Sequence, residues 1–364
     1  MIELKRMVAG MTAALLAVIL VFSVPVAAIS ARSYVLLDAA TGRILAGRLP
    51  DQKSLIASTT KIMTALVVCE QCNVLDRVRI PKEAVGIEGS SMYLQEGEIL
   101  TIQELLYGLM LRSGNDAATA LAIYCGGTVE GFAQLMNDKA RTLGLKNTHF
   151  ENPHGLDSAQ HYSTAEDLAV LSAYAMGNPI FAKIVSTKTV RVGQRQLTNH
   201  NKLLWQVEGA DGVKTGFTKA AGRILVSSAM RDGRRLIAVT ISAPDDWQDH
   251  AQLLSDGFSR YQPKQIVRVN DVLGTVEIAG GQERTVELIA KEDFSYPLAQ
   301  GETAEISLPQ PKFVYAPVAY GQDAGMAYIS VSGHTIGRVA LMFGETVEQE
   351  LEKKDSVWKR IFGG

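Results

Sequence analysis

The strand signals of this 364-residue chain sit at opposite ends of a long helical stretch, and that separation limits the fold more than any other feature. Ser33–Asp38 and Arg43–Ala46 are short apolar runs joined by Ala39-Ala40-Thr41-Gly42, a pattern that predicts a hairpin. Helical spacing follows. Ile62, Met63, Ala65 and Leu66 mark a helix within 58–68, and further helices are predicted over 101–110, 116–124, 131–143 and 164–175. Thr164 is placed to cap the last of these, with Asp167 in its first turn. Strands return at 224–230 and 235–242 around Arg231-Asp232-Gly233-Arg234, whose Asp-Gly pair marks a tight reversal. Residues 251–258 read as a closing helix. Tight turns join antiparallel neighbours, whereas parallel strands need long crossovers. The order therefore predicts an α/β unit, an antiparallel sheet flanked by helices with a helical subdomain, and not a doubly wound parallel sheet.

Three further segments complete the organisation. Lys5 and Arg6 precede the mostly apolar run 7–24, then Pro25 and Ala28-Ile29-Ser30, the pattern of a cleaved export signal over 1–30. The main unit then spans 31–260. Over 262–345, short alternating runs such as 265–269, 285–289 and 327–331, separated by Gly, Pro and Asp, predict a small all-β unit. The tail, 346–364, is charged and ends in Val357-Trp358-Lys359-Arg360-Ile361-Phe362. A helix there would align Val357 with Ile361 and Trp358 with Phe362 beside two cations. A peripheral membrane contact and a solvated tail are the two readings. Export places the protein outside the cytoplasm, either secreted or at the outer face of the membrane.

Charge excludes one class of partner: 36 Lys+Arg against 38 Asp+Glu leave no basic field for nucleic acid. Cys69, Cys72 and Cys125 are too few for a disulfide scaffold. Cys69-Glu70-Gln71-Cys72 lacks the second pair or histidines of a zinc site, so the cysteines are expected as partly buried thiols, with an incidental disulfide as the second reading and a redox centre as the third, and no metal or cofactor is implied.

Three motifs carry chemistry. Ser58-Thr59-Thr60-Lys61 opens a predicted helix, where residues three apart share a face, so the Lys61 amine reaches the Ser58 hydroxyl. Serine needs a neighbouring base to become a nucleophile, and a lysine of lowered pKa can be that base. Ser113-Gly114-Asn115 lies between two helices, where a hydroxyl and an amide can hold Lys61 and relay a proton. Lys214-Thr215-Gly216, followed by Phe217, lies on a predicted edge strand. Lys214 and Thr215 suit a substrate carboxylate, and Gly216 admits a close backbone approach. Each triplet alone is commonplace. Their order and contexts are not.

Together they resemble the serine-type D-alanyl-D-alanine carboxypeptidases, the low-molecular-weight penicillin-binding proteins, especially Gram-positive forms. Residues 56–64, Asn152-Pro153-His154-Gly155-Leu156, 161–165, 199–204 and 211–218 are also similar to family segments. The resemblance covers about 31–260, with a similar β unit behind it, and implies a β-lactamase/transpeptidase-like fold. It further implies that Ser58 attacks the carbonyl between two D-alanines of a peptidoglycan stem pentapeptide while Lys61 takes its proton. Ser113 would assist the leaving D-alanine, and Asn115 would fix the substrate. The N–H groups of Ser58 and Phe217 would form the oxyanion hole, with Lys214 and Thr215 on the terminal carboxylate. β-Lactams would leave a slowly hydrolysed adduct on Ser58.

His154, His161 and His200 are expected to pack around the site, since Lys61 supplies the base and no G-x-S-x-G elbow surrounds Ser58. Arg223 is a candidate second cation for the carboxylate. Some relatives carry an arginine where this chain has Asp245-Asp246-Trp247, which leaves the gripping cation open. Ser113-Gly114-Asn115 in place of S-D-N, and the absence of an E-x-x-L-N-like segment, favour carboxypeptidase over β-lactamase. A D,D-endopeptidase, a β-lactamase and a non-catalytic penicillin sensor are the alternatives.

Overall fold

The computed structural model describes residues 28–309 and 311–350. The expected signal lies almost wholly outside the described residues, as does the amphipathic end of the tail. Strands β1 (Ser33–Asp38) and β2 (Ile44–Arg48) form the expected hairpin. Two small ribbons follow, β3 (Arg77–Arg79) with β4 (Ile99–Thr101), and β5 (Thr189–Val192) with β6 (Arg195–Thr198). Strands β7 (Ala210–Thr218), β8 (Gly222–Arg231) and β9 (Arg234–Ile241) complete an antiparallel sheet of order β2-β1-β9-β8-β7. β1 pairs with β9 from Ser33↔Ile241 to Asp38↔Leu236, so the two distant strand groups meet in one sheet. β7 is left at the edge.

Both faces of the sheet are covered, which is why β8 and β9 read as unbroken apolar runs. Ile224, Val226, Ile237 and Val239 face a helical core, and Leu36, Ala229, Leu236 and Ala238 face Leu253 and Leu254 of the closing helix. Helices α1 (Lys61–Gln71), α2 (Ile102–Leu111), α3 (Asn115–Gly126), α4 (Val129–Thr142) and α5 (Ala165–Met176) build the helical side. α2 begins with a reciprocal Thr101–Glu104 capping box, and the Thr164 side chain accepts from the Asp167 N–H, as its placement predicts.

The sequence reading did not foresee α6 (Pro179–Ser186) or the β5–β6 hairpin. α6 is too short for a clear period, and its start is fixed by Asn178, whose side chain accepts from Ile180 and Phe181, with Pro179 at the first position. After the single turn α7 (Leu203–Gln206), the closing helix α8 (Asp246–Arg260) starts five residues earlier than its apolar spacing suggests. Asp246 and Asp249 occupy its first turn, where a helix favours negative charge. His250 of α8 is fully buried, with Ser227 Oγ 2.6 Å from Nδ1 and Thr240 Oγ1 2.9 Å from Nε2. Burial pushes it down to about 3, so it is a neutral core residue.

One cysteine expectation is corrected. Cys72, at the end of α1, forms a disulfide with Cys125 near the end of α3, and only Cys69 remains a thiol. The helices lie side by side, a tertiary fact that 53 residues of separation conceal. Burial raises the Cys69 thiol to about 12, which leaves it unreactive as a nucleophile.

From Tyr261 the chain is all β. β10 (Tyr261–Val267) pairs with β13 (Phe294–Ala299). β11 (Val272–Ala279), β12 (Thr285–Ala290), β14 (Ala304–Ser307), β15 (Phe313–Tyr315), β16 (Asp323–Val331) and β17 (His334–Phe343) form a sheet of order β14-β16-β17-β12-β11-β15. The β10–β13 ribbon packs on this sheet through Val267, Leu298, Ile329 and Val339. Arg43, in the β1–β2 turn, ties the two units together. Its guanidinium pairs with Glu302 at 2.6 Å, donates to Pro297 O, and lies 5.3 and 5.1 Å from the Tyr261 and Tyr296 ring centres.

Candidate active site

Ser58 lies in a 3-10 turn, Ala57–Thr60, that runs directly into α1. Lys61 is the first residue of that helix and is fully buried, although it is a lysine. Its Nζ lies 3.1 Å from Ser58 Oγ, 2.7 Å from Asn115 Oδ1 and 2.6 Å from the His154 carbonyl. Burial, and then the charge of Lys214, hold its pKa well below the usual lysine range, while Asp116 opposes them. The two fixed acceptors decide the orientation. A neutral amine has two N–H groups, which Asn115 and His154 take, and its lone pair is then left for the Ser58 hydroxyl proton. Lys61 is thereby arranged as a general base.

The segment 152–156 supplies the carbonyl. Asn152 Oδ1 accepts from Gly155 N at 2.7 Å and its Nδ2 donates to Leu156 O at 3.0 Å, folding Pro153-His154-Gly155 into a tight bend. Thr64 Oγ1 fastens this bend to α1 through Pro153 O at 2.6 Å. Gly155 has φ +85°, and a Cβ there would lie 1.9 Å from the Ala57 carbonyl, beside the nucleophile. Gly155→Ala should therefore cost about 2 kcal/mol or more of stability and displace the Ser58 turn. Thermal unfolding together with the rate of labelling by a fluorescent penicillin checks this, with both expected to fall.

The histidines do not form a triad. His161 Nδ1 accepts from the Glu151 N–H at 3.1 Å, so its Nε2–H donates to Thr60 Oγ1 at 2.7 Å. Burial lowers His161 to about 4 and His154 to about 3, and both stay neutral. His200 lines the cleft and lies 3.3 Å from Arg112 Nη1.

Ser113 has φ +61°, and its buried hydroxyl has no hydrogen-bond partner among the described residues. A buried polar atom is normally paired, and here the hydroxyl lines the same cleft as Ser58. Asn115 serves two walls at once, since it accepts from Lys61 and donates from Nδ2 to Glu88 O at 2.5 Å. Asp116 was not foreseen. Its carboxylate accepts from Met92 N, Leu94 N and Ser91 Oγ and so fixes the loop opposite α3. An acid directly after Ser113-Gly114-Asn115 was the available signal.

Edge strand β7 closes the other side. Asn201 Nδ2 donates to Gly212 O at 2.8 Å and fastens the entry to the strand. Gly216 packs against the nucleophile turn, since a Cβ would sit 3.3 Å from Ser58 N. Lys214 is buried, with Nζ 2.7 Å from Thr215 O, close enough to Lys61 and His200 for its charge to act on both, and burial pulls it down to about 7. Thr215, Gly216 and Phe217 line the cleft with Ser58, Ser90, Ser113 and Arg223, around a volume of about 300 Å³. A larger hollow in the β unit, about 410 Å³ between Pro309, Val314 and Phe343, has Asp323 and Tyr328 in its lining but no serine, cysteine, lysine or histidine. Arg223 stands opposite Phe217 on β8. Its Nη2 donates to Asp246 Oδ1 at 2.7 Å and its guanidinium carbon lies 5.8 Å from the Trp247 ring centre. The 245–247 segment thus supplies an anion and a ring that hold an arginine from the sheet.

All eight residues singled out in the sequence, Ser58, Lys61, Ser113, Asn115, Lys214, Thr215, Gly216 and Phe217, are brought to this cleft or its walls.

Known proteins share this arrangement. The family profile described as D-alanyl-D-alanine carboxypeptidase matches residues 21–245, and that of the penicillin-binding protein 5 C-terminal domain matches 261–349. The D-alanyl-D-alanine carboxypeptidase DacF of Bacillus subtilis is 33% identical over 322 residues, covering 84% of this chain and 83% of its own. DacC of Escherichia coli is 34% identical over 341 residues, with 88% and 85% covered. The crystal structure of penicillin-binding protein 5 from Haemophilus influenzae superposes with a TM-score of 0.75 at 32% identity, covering 88% of this chain and 98% of that one. A Streptomyces K15 DD-transpeptidase structure, TM-score 0.61 at 35% identity, covers 64% of this chain and 98% of its own. Profile, relatives and fold agree with the paired Ser58 and Lys61: the chain belongs to the D-alanyl-D-alanine carboxypeptidase family.

Proposed function

We propose that this protein is an exported serine D,D-carboxypeptidase that removes the terminal D-alanine from peptidoglycan stem pentapeptides and is acylated by β-lactams. The observation that carries this reading is the Lys61 amine, dehydrated and 3.1 Å from the Ser58 hydroxyl, with its other hydrogen-bonding capacity already committed. Ser58 attacks the carbonyl between the two D-alanines as its proton passes to Lys61. The Ser58 and Phe217 N–H groups stabilise the oxyanion, whose charge appears only in the transition state. The Ser113 hydroxyl, unpaired until substrate arrives, relays the proton to the departing D-alanine nitrogen, and Asn115 holds the substrate amide. Thr215 and Arg223 meet the terminal carboxylate at the cleft surface, while the buried Lys214 adds positive charge. Water then hydrolyses the ester.

Location rests on the basic and apolar N-terminal pattern. Among the described residues no single helix is long and apolar enough to cross a membrane. The tail beyond 350 supplies a peripheral contact with the membrane surface in this reading.

Product analysis tests the proposal. Residues 31–364 are incubated separately with a stem pentapeptide, a cross-linked dimer and a penicillin. Free D-alanine should be the dominant product. Dimer cleavage as the faster reaction would indicate an endopeptidase, and rapid penicillin turnover a β-lactamase. Labelling with no D-alanine release would indicate a sensor.

A further inference from the structure

Outside the groups already used, one side chain on the loop that contributes Ser90 to the cleft has no structural reason for its placement. Tyr93 is 78% exposed and has φ +62°, a backbone region that bulky residues avoid. Its neighbours Met92 and Leu94 are buried. The loop is held rigidly in this shape from two sides. From α3, the Asp116 carboxylate accepts from the Met92 and Leu94 N–H groups at 3.1 and 3.0 Å. From the β5–β6 hairpin, Arg195 donates from Nε to Met92 O at 2.8 Å and from Nη2 to Tyr93 O at 2.9 Å. The same guanidinium grips Glu98 at 2.6 and 2.8 Å. The Tyr93 N–H donates to Ser91 Oγ at 2.8 Å. Every polar backbone group from Met92 N to Leu94 N is thus satisfied by a defined partner. The anchors hold a strained conformation whose result is an aromatic ring directed into solvent.

The loop is continuous with the cleft. Ser90 lines it, the Asn115 N–H donates to Ser90 O at 2.7 Å, and Asn115 Nδ2 donates to Glu88 O. Strain retained at one exposed residue of a site-forming loop marks a functional position. We propose that Tyr93 is a specificity-determining residue that packs on the part of the stem peptide preceding the two D-alanines, with Arg195 as the positioning residue that holds the backbone carrying its ring. In this reading the terminal dipeptide region takes up the cleft of about 300 Å³, and the upstream residues pass over its rim. An aromatic ring on a fixed backbone there offers contact area for an ordering cost confined to its two side-chain torsions. The inference rests on the carboxypeptidase reading.

The test compares two substrates, N-acetyl-D-Ala-D-Ala and the full stem pentapeptide, for wild type, Tyr93→Phe, Tyr93→Ala and Arg195→Lys. In Tyr93→Ala, the ratio of kcat/KM for pentapeptide over the acetylated dipeptide should fall about fivefold, chiefly through KM, as loss of one aromatic contact predicts. Tyr93→Phe should keep the ratio, and Arg195→Lys, which loses the fork, should lower it in part. An unchanged ratio in Tyr93→Ala, or equal loss on both substrates, overturns the inference. Failure of wild type to hydrolyse either substrate overturns the carboxypeptidase reading instead.

Discussion

A Ser58→Ala enzyme is expected to release no measurable D-alanine and to take no label from a fluorescent penicillin, a loss of about 10⁴-fold or more in kcat/KM. The covalent route ends with the hydroxyl. Of the hydroxyls that line the cleft, Ser58 is the one hydrogen-bonded to Lys61, and His154 and His161 are occupied by Leu156 N, Glu151 N and Thr60. The fold should persist, because Lys61 keeps Asn115 and His154 as partners and the cavity left by one oxygen is small. Unchanged thermal unfolding with both activities lost is the expected pair of results. Residual labelling of the variant would mean that another nucleophile accepts the β-lactam.

Lys61→Met and Lys61→Arg should each lower kcat/KM by about 10³-fold, within the range that a positioned general base contributes. Methionine keeps much of the volume without the base, and arginine keeps the charge but does not release its proton near neutral pH. The pH profile separates this role from simple packing. Lys61 is depressed far below an ordinary lysine by burial and by Lys214, so its base form is gained, and the wild-type rate rises, as pH climbs through that lowered pKa. Both variants should lose the rising limb. Lys214, lowered to about 7 by burial, contributes with the opposite sign. Its cationic form attracts the substrate carboxylate, so kcat/KM should fall as pH rises through about 7. A pentapeptide ending in an amide should show a weaker falling limb. A profile in Lys61→Met that parallels wild type would remove Lys61 from proton transfer.

How much of this was readable in the chain follows from the range of each interaction. The antiparallel sheet was legible in its hairpins, which are local, with Asp232-Gly233 and Ala39–Gly42 joining neighbouring strands, whereas the β1–β9 pairing that unites them is a contact between distant segments. The pairing of Ser58 with Lys61 was legible because three residues along a helix bring side chains together. Helix α6 and the β5–β6 hairpin were not, since eight and four residues give too little period. The Cys72–Cys125 bond was hidden for a different reason: the C-x-x-C spacing suggested a local relation between Cys69 and Cys72, and the actual partner comes from the packing of α1 on α3. Asp116, the His154 carbonyl and Gly155 belong to the same group. Each acts through a backbone contact with a distant segment, which no spacing rule encodes. The Arg223–Asp246 pair was hidden for the same reason, because β8 and the start of α8 meet only in the folded molecule.

The most direct test of the central claim is the mass-mapped site of acylation. Wild-type enzyme is quenched with benzylpenicillin, digested and sequenced by mass spectrometry, and D-alanine release from the pentapeptide is measured on the same preparation. The account predicts a single penicilloyl adduct on Ser58, together with D-alanine release that the same adduct blocks. An adduct on any other residue, or D-alanine release that persists in fully acylated enzyme, would contradict it.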